Sequence, residues 1–276
     1  MRPPRVRLSR GLVLVISVLV LGGLLFALYR VSPLANPPPG CTVTLGSPTD
    51  PDDVSAFTLT PEQADSAATI AGVGTKLGMP DHAVTVAIAT SLQETGLRNL
   101  GHGDRDSLGL FQQRPSQGWG DTAQLTDPVF AATAFYAHLR RLPNWADLEV
   151  TEAAQLVQRS AAPEAYAQWE PQARAIAAAL TGEADASLTC HDLVPEPAAS
   201  GLANLARREL GAADLSGTHP PDRGRALANW LVAHAVRLAV DRVTVDGMTW
   251  TTGAGEWNRT GPADGVLSLH QAGSPG

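Results

Sequence analysis

The chain has 276 residues, enough for one or two domains with appendages. Its formal net charge is −7, and the only basic cluster sits in the first ten residues. That distribution argues against nucleic acid as a partner. Two cysteines with no third or fourth ligand nearby make a poor zinc site.

Arg2, Arg5, Arg7 and Arg10 precede an uncharged run from Gly11 to Tyr29. About 20 apolar residues span a bilayer, and arginines stay on the cytoplasmic side. The sequence therefore predicts a single-pass anchor in residues 1–30, with membrane contact through residues 11–29 and the bulk of the chain outside. A cleaved signal peptide is the alternative, but no small-x-small cleavage site closes the run. Residues 31–58 hold Pro33, Pro37, Pro38, Pro39, Pro48 and Pro51, which reads as an extended linker. Cys41 and Cys190 bracket the region that follows. Outside the cytoplasm such a pair is most simply a disulfide; the alternative is two free thiols.

Residues 60–78 predict a helix, with Thr60 as N-cap and Pro61 at its first position. A central helix starts at Asp81. Ala83, Val84, Val86, Ala87, Ile88, Ala89 and Leu92 make it apolar nearly all round, as expected of a helix in the middle of a core. It ends on Glu94, with Gly96 as a C-cap. Desolvation and the negative end of the helix dipole both disfavour a charged carboxylate there. A carboxylic acid so placed can protonate a leaving group, as glycosidic cleavage requires. A solvated Glu at a fraying helix end is the bland alternative.

Gly101, Gly103, Asp104 and Asp106 predict a turn or small hairpin. Asp104 and Asp106 are candidates for a second catalytic carboxylate or for plain turn residues, and His102 reads as a surface loop residue. Ser107-Leu108-Gly109-Leu110-Phe111-Gln112-Gln113 follows. Its amides suit sugar hydroxyls and N-acetyl groups, while Leu110 and Phe111 also suit a core. Trp119 is a candidate for stacking on a sugar or for packing. Helices are expected over residues 128–141 (capped by Thr126 or Asp127), 151–160 (Thr151 as N-cap) and 163–180.

Glu94-Thr95-Gly96-Leu97 followed by Ser107-x-Gly109-Leu110-Phe111-Gln112 resembles the first two signatures of the soluble lytic transglycosylases, a lysozyme-like family acting on peptidoglycan. Thr95 stands where the family usually has Ser. Gly78-Met79-Pro80 is similar to the family's turn into the catalytic helix, and Ala165-Tyr166-Ala167 resembles its Ala-Tyr-Asn signature. The resemblance covers residues 60–180. It implies a mainly α, lysozyme-like domain with a small β region and Glu94 as acid and base on the bond between N-acetylmuramic acid and N-acetylglucosamine. The resemblance further implies that the second signature opens the next helix facing a cleft. Ser107, Gly109, Leu110, Phe111, Gln112 and Gln113 are then the substrate-binding residues, and Tyr166 holds the catalytic Glu. Glycan strands are the implied partner; no metal or organic cofactor is implied. Ala167 departs from the family's Asn, which bears on substrate positioning. Trp169 is expected to close the cleft or join the core.

Residues 183–200 read as a second linker. Beyond it come a short helix over 202–210 and an amphipathic helix over 224–238. A hairpin about Asp246-Gly247 and a last strand over 266–269 follow. Trp230-Leu231-Val232-Ala233-His234-Ala235, followed by a strand and Met248-Thr249-Trp250, faintly resembles a module of actinobacterial wall proteins related to zinc D,D-peptidases. The spacing of His219, Asp222, His234 and His270 does not fit the metal site, so a binding or docking unit is expected; a peptidase is the rival reading. The expected layout is an anchor (1–30), a linker (31–58), a lysozyme-like domain (59–190), a linker (191–200) and a small α+β domain (201–276). The expected function is a membrane-anchored, extracytoplasmic peptidoglycan-cleaving enzyme; the alternative is a non-catalytic wall-binding protein.

Overall fold

Strand β1 (Gly40–Leu45) is the middle of a three-stranded antiparallel sheet, flanked by β2 (Ser55–Leu59) and β3 (Leu188–His191). Its sequence alternates, so Cys41 and Val43 point into the core. Cys41 and Cys190 face each other in the β1–β3 register and form a disulfide across 149 residues. In the chain-entropy picture a loop of that length contributes roughly 5 kcal/mol. The structure is a computed structural model that describes residues 21, 38–46, 54–159, 163–184, 187–195 and 201–273.

Between β2 and β3 lie the helices. Helix α1 (Pro61–Lys76) starts with a capping box in which Thr60 and Gln63 satisfy each other's backbone N–H groups. Helix α2 (Asp81–Thr95) is buried at every position from Ala83 to Leu92 and ends at Gly96 in the left-handed conformation. Helix α3 (Thr122–Leu125) packs on α4 (Pro128–Leu139), and α4, α5 (Val150–Gln158) and α6 (Glu170–Thr181) stand around α2. Helices α1 and α4 approach closely at Gly74. A Cβ there would lie 2.7 Å from the Tyr136 hydroxyl, which donates to Ile70 O. Asp127 caps α4 through Val129 N. Helix α5 starts one residue before the expected cap Thr151. Residues 163–169 form a 3₁₀ turn rather than the start of a long helix; α6 begins at Glu170, with Pro171, which has no N–H, in its first turn.

The C-terminal part holds α7 (Leu202–Leu210), β4 (Gly217–Thr218), α8 (Pro221–Ala233), α9 (Ala235–Leu238), β5 (Val240–Val245), β6 (Met248–Thr251), β7 (Trp257–Arg259) and β8 (Val266–Gln271). Its sheet is antiparallel, in the order β4-β8-β5-β6-β7. The β5–β6 turn at Asp246-Gly247 has positive φ at both residues, as a two-residue hairpin requires. Trp250 Nε1 donates to Cys190 O and Trp257 Nε1 to Leu188 O, so this sheet is stitched to β3. Pro39–Gly276 is one compact unit.

Two features of the expected fold class are corrected. Of the described residues, 49% are helical and 17% lie in strand, in two antiparallel sheets. The fold is therefore mixed α and β rather than a mainly helical domain with a small β region. Strand β1 and all of β2 but Leu59 lie within the proline-rich stretch 31–58, and no hairpin forms at residues 98–107. The expected transmembrane helix is not seen: no helix among the described residues is long and apolar enough to cross a membrane. The segment 11–29 that carried that expectation lies, Leu21 apart, outside the described residues.

A buried ionic network joins the C-terminal part to α1. Glu209, 1% exposed, accepts hydrogen bonds from Thr69 Oγ1 and Trp230 Nε1, both at 2.9 Å. His234, at the junction of α8 and α9, presents Nε2 to Glu209 at 2.9 Å and Nδ1 to Asp65. Arg237 reaches both carboxylates. Burial alone would pull the His234 imidazole down, but Glu209 and Asp65 outweigh it and push it up to about 9. The folded value lies above the unfolded one, so the stabilisation is complete below about pH 6.5 and is lost as pH rises through about 9. Urea unfolding should show stability falling by roughly 3 kcal/mol between those limits. The Asp65→Asn variant, leaving His234 one carboxylate, should show a smaller fall; an equal fall would remove Asp65 from the linkage.

Candidate active site

Helix α2 is enclosed along its middle and reaches the surface at its two ends; its last turn carries Gln93 and Glu94, both half-buried. The 3₁₀ turn at Pro163–Trp169 packs against it. Tyr166, itself buried, donates its hydroxyl to Glu94 Oε1 at 2.9 Å across 72 residues of sequence. One position back, Trp169 Nε1 donates to Gln93 Oε1 at 2.7 Å and Gln168 Nε2 to the same oxygen at 3.2 Å. No cation pairs with Glu94 among the described residues.

Thr95 fixes the second motif against α2. Its hydroxyl lies 3.0 Å from Leu110 O and 3.1 Å from Ser91 O, and accepts from Arg98 N at 3.2 Å. Ser91 Oγ also donates to Leu110 O, and Gln158 Nε2 from α5 donates to Phe111 O at 2.7 Å. The carbonyls of the Leu110-Phe111 segment are thus held from two helices. Any side-chain hydroxyl would serve at position 95, which accounts for Thr in place of Ser.

The motif residues do not open a helix. Residues 108 and 113 close a bridged turn, in which Gly109 and Gln112 both have positive φ, 73° and 48°. Backbone in that region cannot start a right-handed helix. A Cβ on Gly109 would lie 2.1 Å from Leu125 O, so that glycine serves close packing. Leu110 and Phe111 are 0% exposed, with Phe111 stacked on Phe135 at 4.7 Å. Gln113 is 2% exposed and donates to Ala131 O at 3.1 Å. These three residues floor the site from the core and offer no side-chain surface to a polymer. Ser107, also buried, shares its hydroxyl between Asp104 O at 2.8 Å and Gln112 Oε1 at 2.9 Å. That bond folds Gln112, the partly exposed amide of the motif, back over Gly103.

Neither candidate second carboxylate is placed as a base. Asp106 has both oxygens engaged, Oδ1 by Arg114 Nε at 2.7 Å and Oδ2 by Ser116 N at 2.8 Å. Hydrogen bonds from Ser116, then the Arg114 guanidinium, hold its carboxyl well below the ordinary carboxylate range. Asp104 is exposed, with Arg105 3.8 Å away. Trp119 lies against His138, ring centroids 3.9 Å apart, so one of its faces is taken. In the C-terminal part the four candidate ligands separate: His234 sits in the buried network, His270 on Asp241, Asp222 on Arg225, and His219 lines a pocket with Val245 and Gly265. No group of three or more metal-ligating side chains gathers among the described residues.

A cavity of about 530 Å³, lined by Asp81, Arg174, Glu183 and Ser187 among others, lies at the far end of α2. At 1.5 Å rise per residue that is about 20 Å from Glu94. Its lining includes neither Glu94 nor Tyr166, so the cavity and the carboxylate are separate features. No protein-family model matches the chain, and no curated protein does. Gln93, Ser91 and Gln158 were missed at the sequence level; a Gln beside the Glu on an otherwise apolar helix is the one signal that pointed there.

The role of Thr95 is directly testable. Thr95→Val keeps the shape but leaves Arg98 N unpaired and Leu110 O one donor short, so it should cost about 1–3 kcal/mol in urea unfolding. Thr95→Ser, which keeps the hydroxyl, should cost less than about 1 kcal/mol.

Proposed function

We propose that the chain cleaves the glycan strands of peptidoglycan outside the cytoplasm, as a lytic-transglycosylase-type enzyme with Glu94 as both acid and base. The observation that carries this reading is the Tyr166 hydroxyl on Glu94 Oε1. It joins the Glu-Thr-Gly and Ala-Tyr motifs into one site, where a phenol can steady the carboxylate after it has given up its proton. The Cys41–Cys190 disulfide is consistent with an oxidising compartment. Glu94 would protonate the bridging oxygen as the glycosidic bond breaks, leaving an oxocarbenium-like centre on the muramic acid. Glu94→Gln keeps the size and loses the proton donor. Release of soluble fragments from purified wall should fall by about 10²- to 10⁴-fold, and an unchanged rate would remove Glu94 from the chemistry.

The surroundings of the two candidate second carboxylates bear on the second half of the reaction. Hydrolysis needs a partner carboxylate within about 5–9.5 Å of the acid. Asp106 is committed to Arg114 and Ser116, and Asp104 faces solvent. The sugar's own 6-hydroxyl can attack instead: Glu94 takes its proton, the O6–C1 bond forms, and no water is consumed. The expected products are 1,6-anhydro-muramyl fragments, one water lighter than hydrolytic ones. Mass spectrometry of a digest in labelled water decides this, since incorporation of labelled oxygen at the new reducing end would mean hydrolysis.

One observation favours a second reading, a non-catalytic wall-binding protein. Ala167 offers no polar side chain beside Tyr166, where the family it resembles has an amide. Binding to insoluble wall without release of fragments would establish it.

A further inference from the structure

The turn at Pro163–Trp169 holds two side chains at the end of α2, and only one of them is the acid. Residues three apart in a 3₁₀ turn lie on one face, so Tyr166 and Trp169 point the same way. Tyr166 meets Glu94, and Trp169 Nε1 meets the Gln93 Oε1 beside it. Gln168 Nε2 adds a second donor to that oxygen and also reaches Ala165 O at 3.1 Å, bracing the turn internally. Beyond Trp169 the chain enters α6, where Pro171 supplies no backbone N–H.

We infer that Gln93 is a positioning residue for the Glu94–Tyr166 pair. Resting on the reading of Glu94 as acid and base, Gln93 anchors the turn through Trp169 and so holds the Tyr166 hydroxyl on Glu94 while the carboxyl group gives and takes its proton. A neutral amide suits this place. It accepts two strong donors, yet adds no second charge next to a group that must cycle between charged and uncharged forms. Misplacement of such a pair by an ångström is enough to cost about 10²-fold in rate.

The test is a double-mutant cycle in wall cleavage with Gln93→Met, which removes the acceptor at similar size, and Tyr166→Phe. If Gln93 acts through Tyr166, each single variant lowers kcat by roughly 10- to 100-fold with KM little changed, and the double variant is no slower than Tyr166→Phe alone. Trp169→Phe, which deletes the indole donor from the other side, should repeat the result of Gln93→Met and stands in for it if that variant fails to fold. Multiplicative losses in the double variant, or a raised KM with kcat intact, would overturn the assignment. A parent protein that releases no fragments defeats the acid–base reading itself. The clamp is then judged by NMR: Gln93→Met should shift the Trp169 indole N–H and the Tyr166 ring signals together, and unmoved Tyr166 signals would overturn it.

Discussion

A helix with no solvent-facing side has to be enclosed, and the rest of the structure depends on that requirement. Every residue of α2 from Ala83 to Leu92 is buried, so α1, α4, α5 and α6 must pack around it. Ala83, Ala87 and Ala89 add little bulk, which lets the neighbours approach. The main chain of α2 cannot shift without disturbing several interfaces at once. Whatever stands on its last turn inherits that rigidity. Glu94 and Gln93 occupy the C-terminal end of the core's most constrained element, where it meets the surface.

Two tethers keep the shell closed around α2. The disulfide joins β1, ahead of the helices, to β3, behind them. The Glu209–His234–Asp65–Arg237 network then binds the C-terminal part to α1. Trp250 and Trp257 attach its sheet to β3. The C-terminal part is therefore packed into the same unit as the helices, through contacts that would leave buried charges unpaired if they were broken.

Legibility in the sequence followed the strength of the local signal. Helices α1, α2, α4 and α7 carry caps and apolar patterns, and the Asp246-Gly247 hairpin carries its turn dipeptide; all of these were readable. Strands β1 and β2 were not. Each is short and lies among prolines and aspartates, so composition suggested a linker while the alternation of Cys41 and Val43 went unused. In the motif at Ser107–Gln113 a helix start was expected. Gln112 adopts a left-handed conformation that nothing about a glutamine announces, because it is imposed by Ser107 and by the space at Gly103. Leu110 and Phe111 turned inward for the ordinary reason that they are apolar. The pairing of Glu94 with Tyr166 was suggested only by resemblance, since 72 residues separate them and no local pattern links them.

Two of the carboxylates on helices near the core, Glu209 and Glu94, have surroundings that suit opposite tasks. Glu209 is held by an imidazole and a guanidinium; protonating it would strand those cations, so it is fixed as an anion and serves structure. Glu94 meets a neutral phenol, next to a neutral amide and indole. Its gain or loss of a proton leaves no opposite charge unpaired, and the phenol can donate to the anion and turn with the acid. A group meant to pass a proton twice in one reaction needs partners of the second kind. That difference in company, more than the depth of either residue, separates the proposed acid from the structural one.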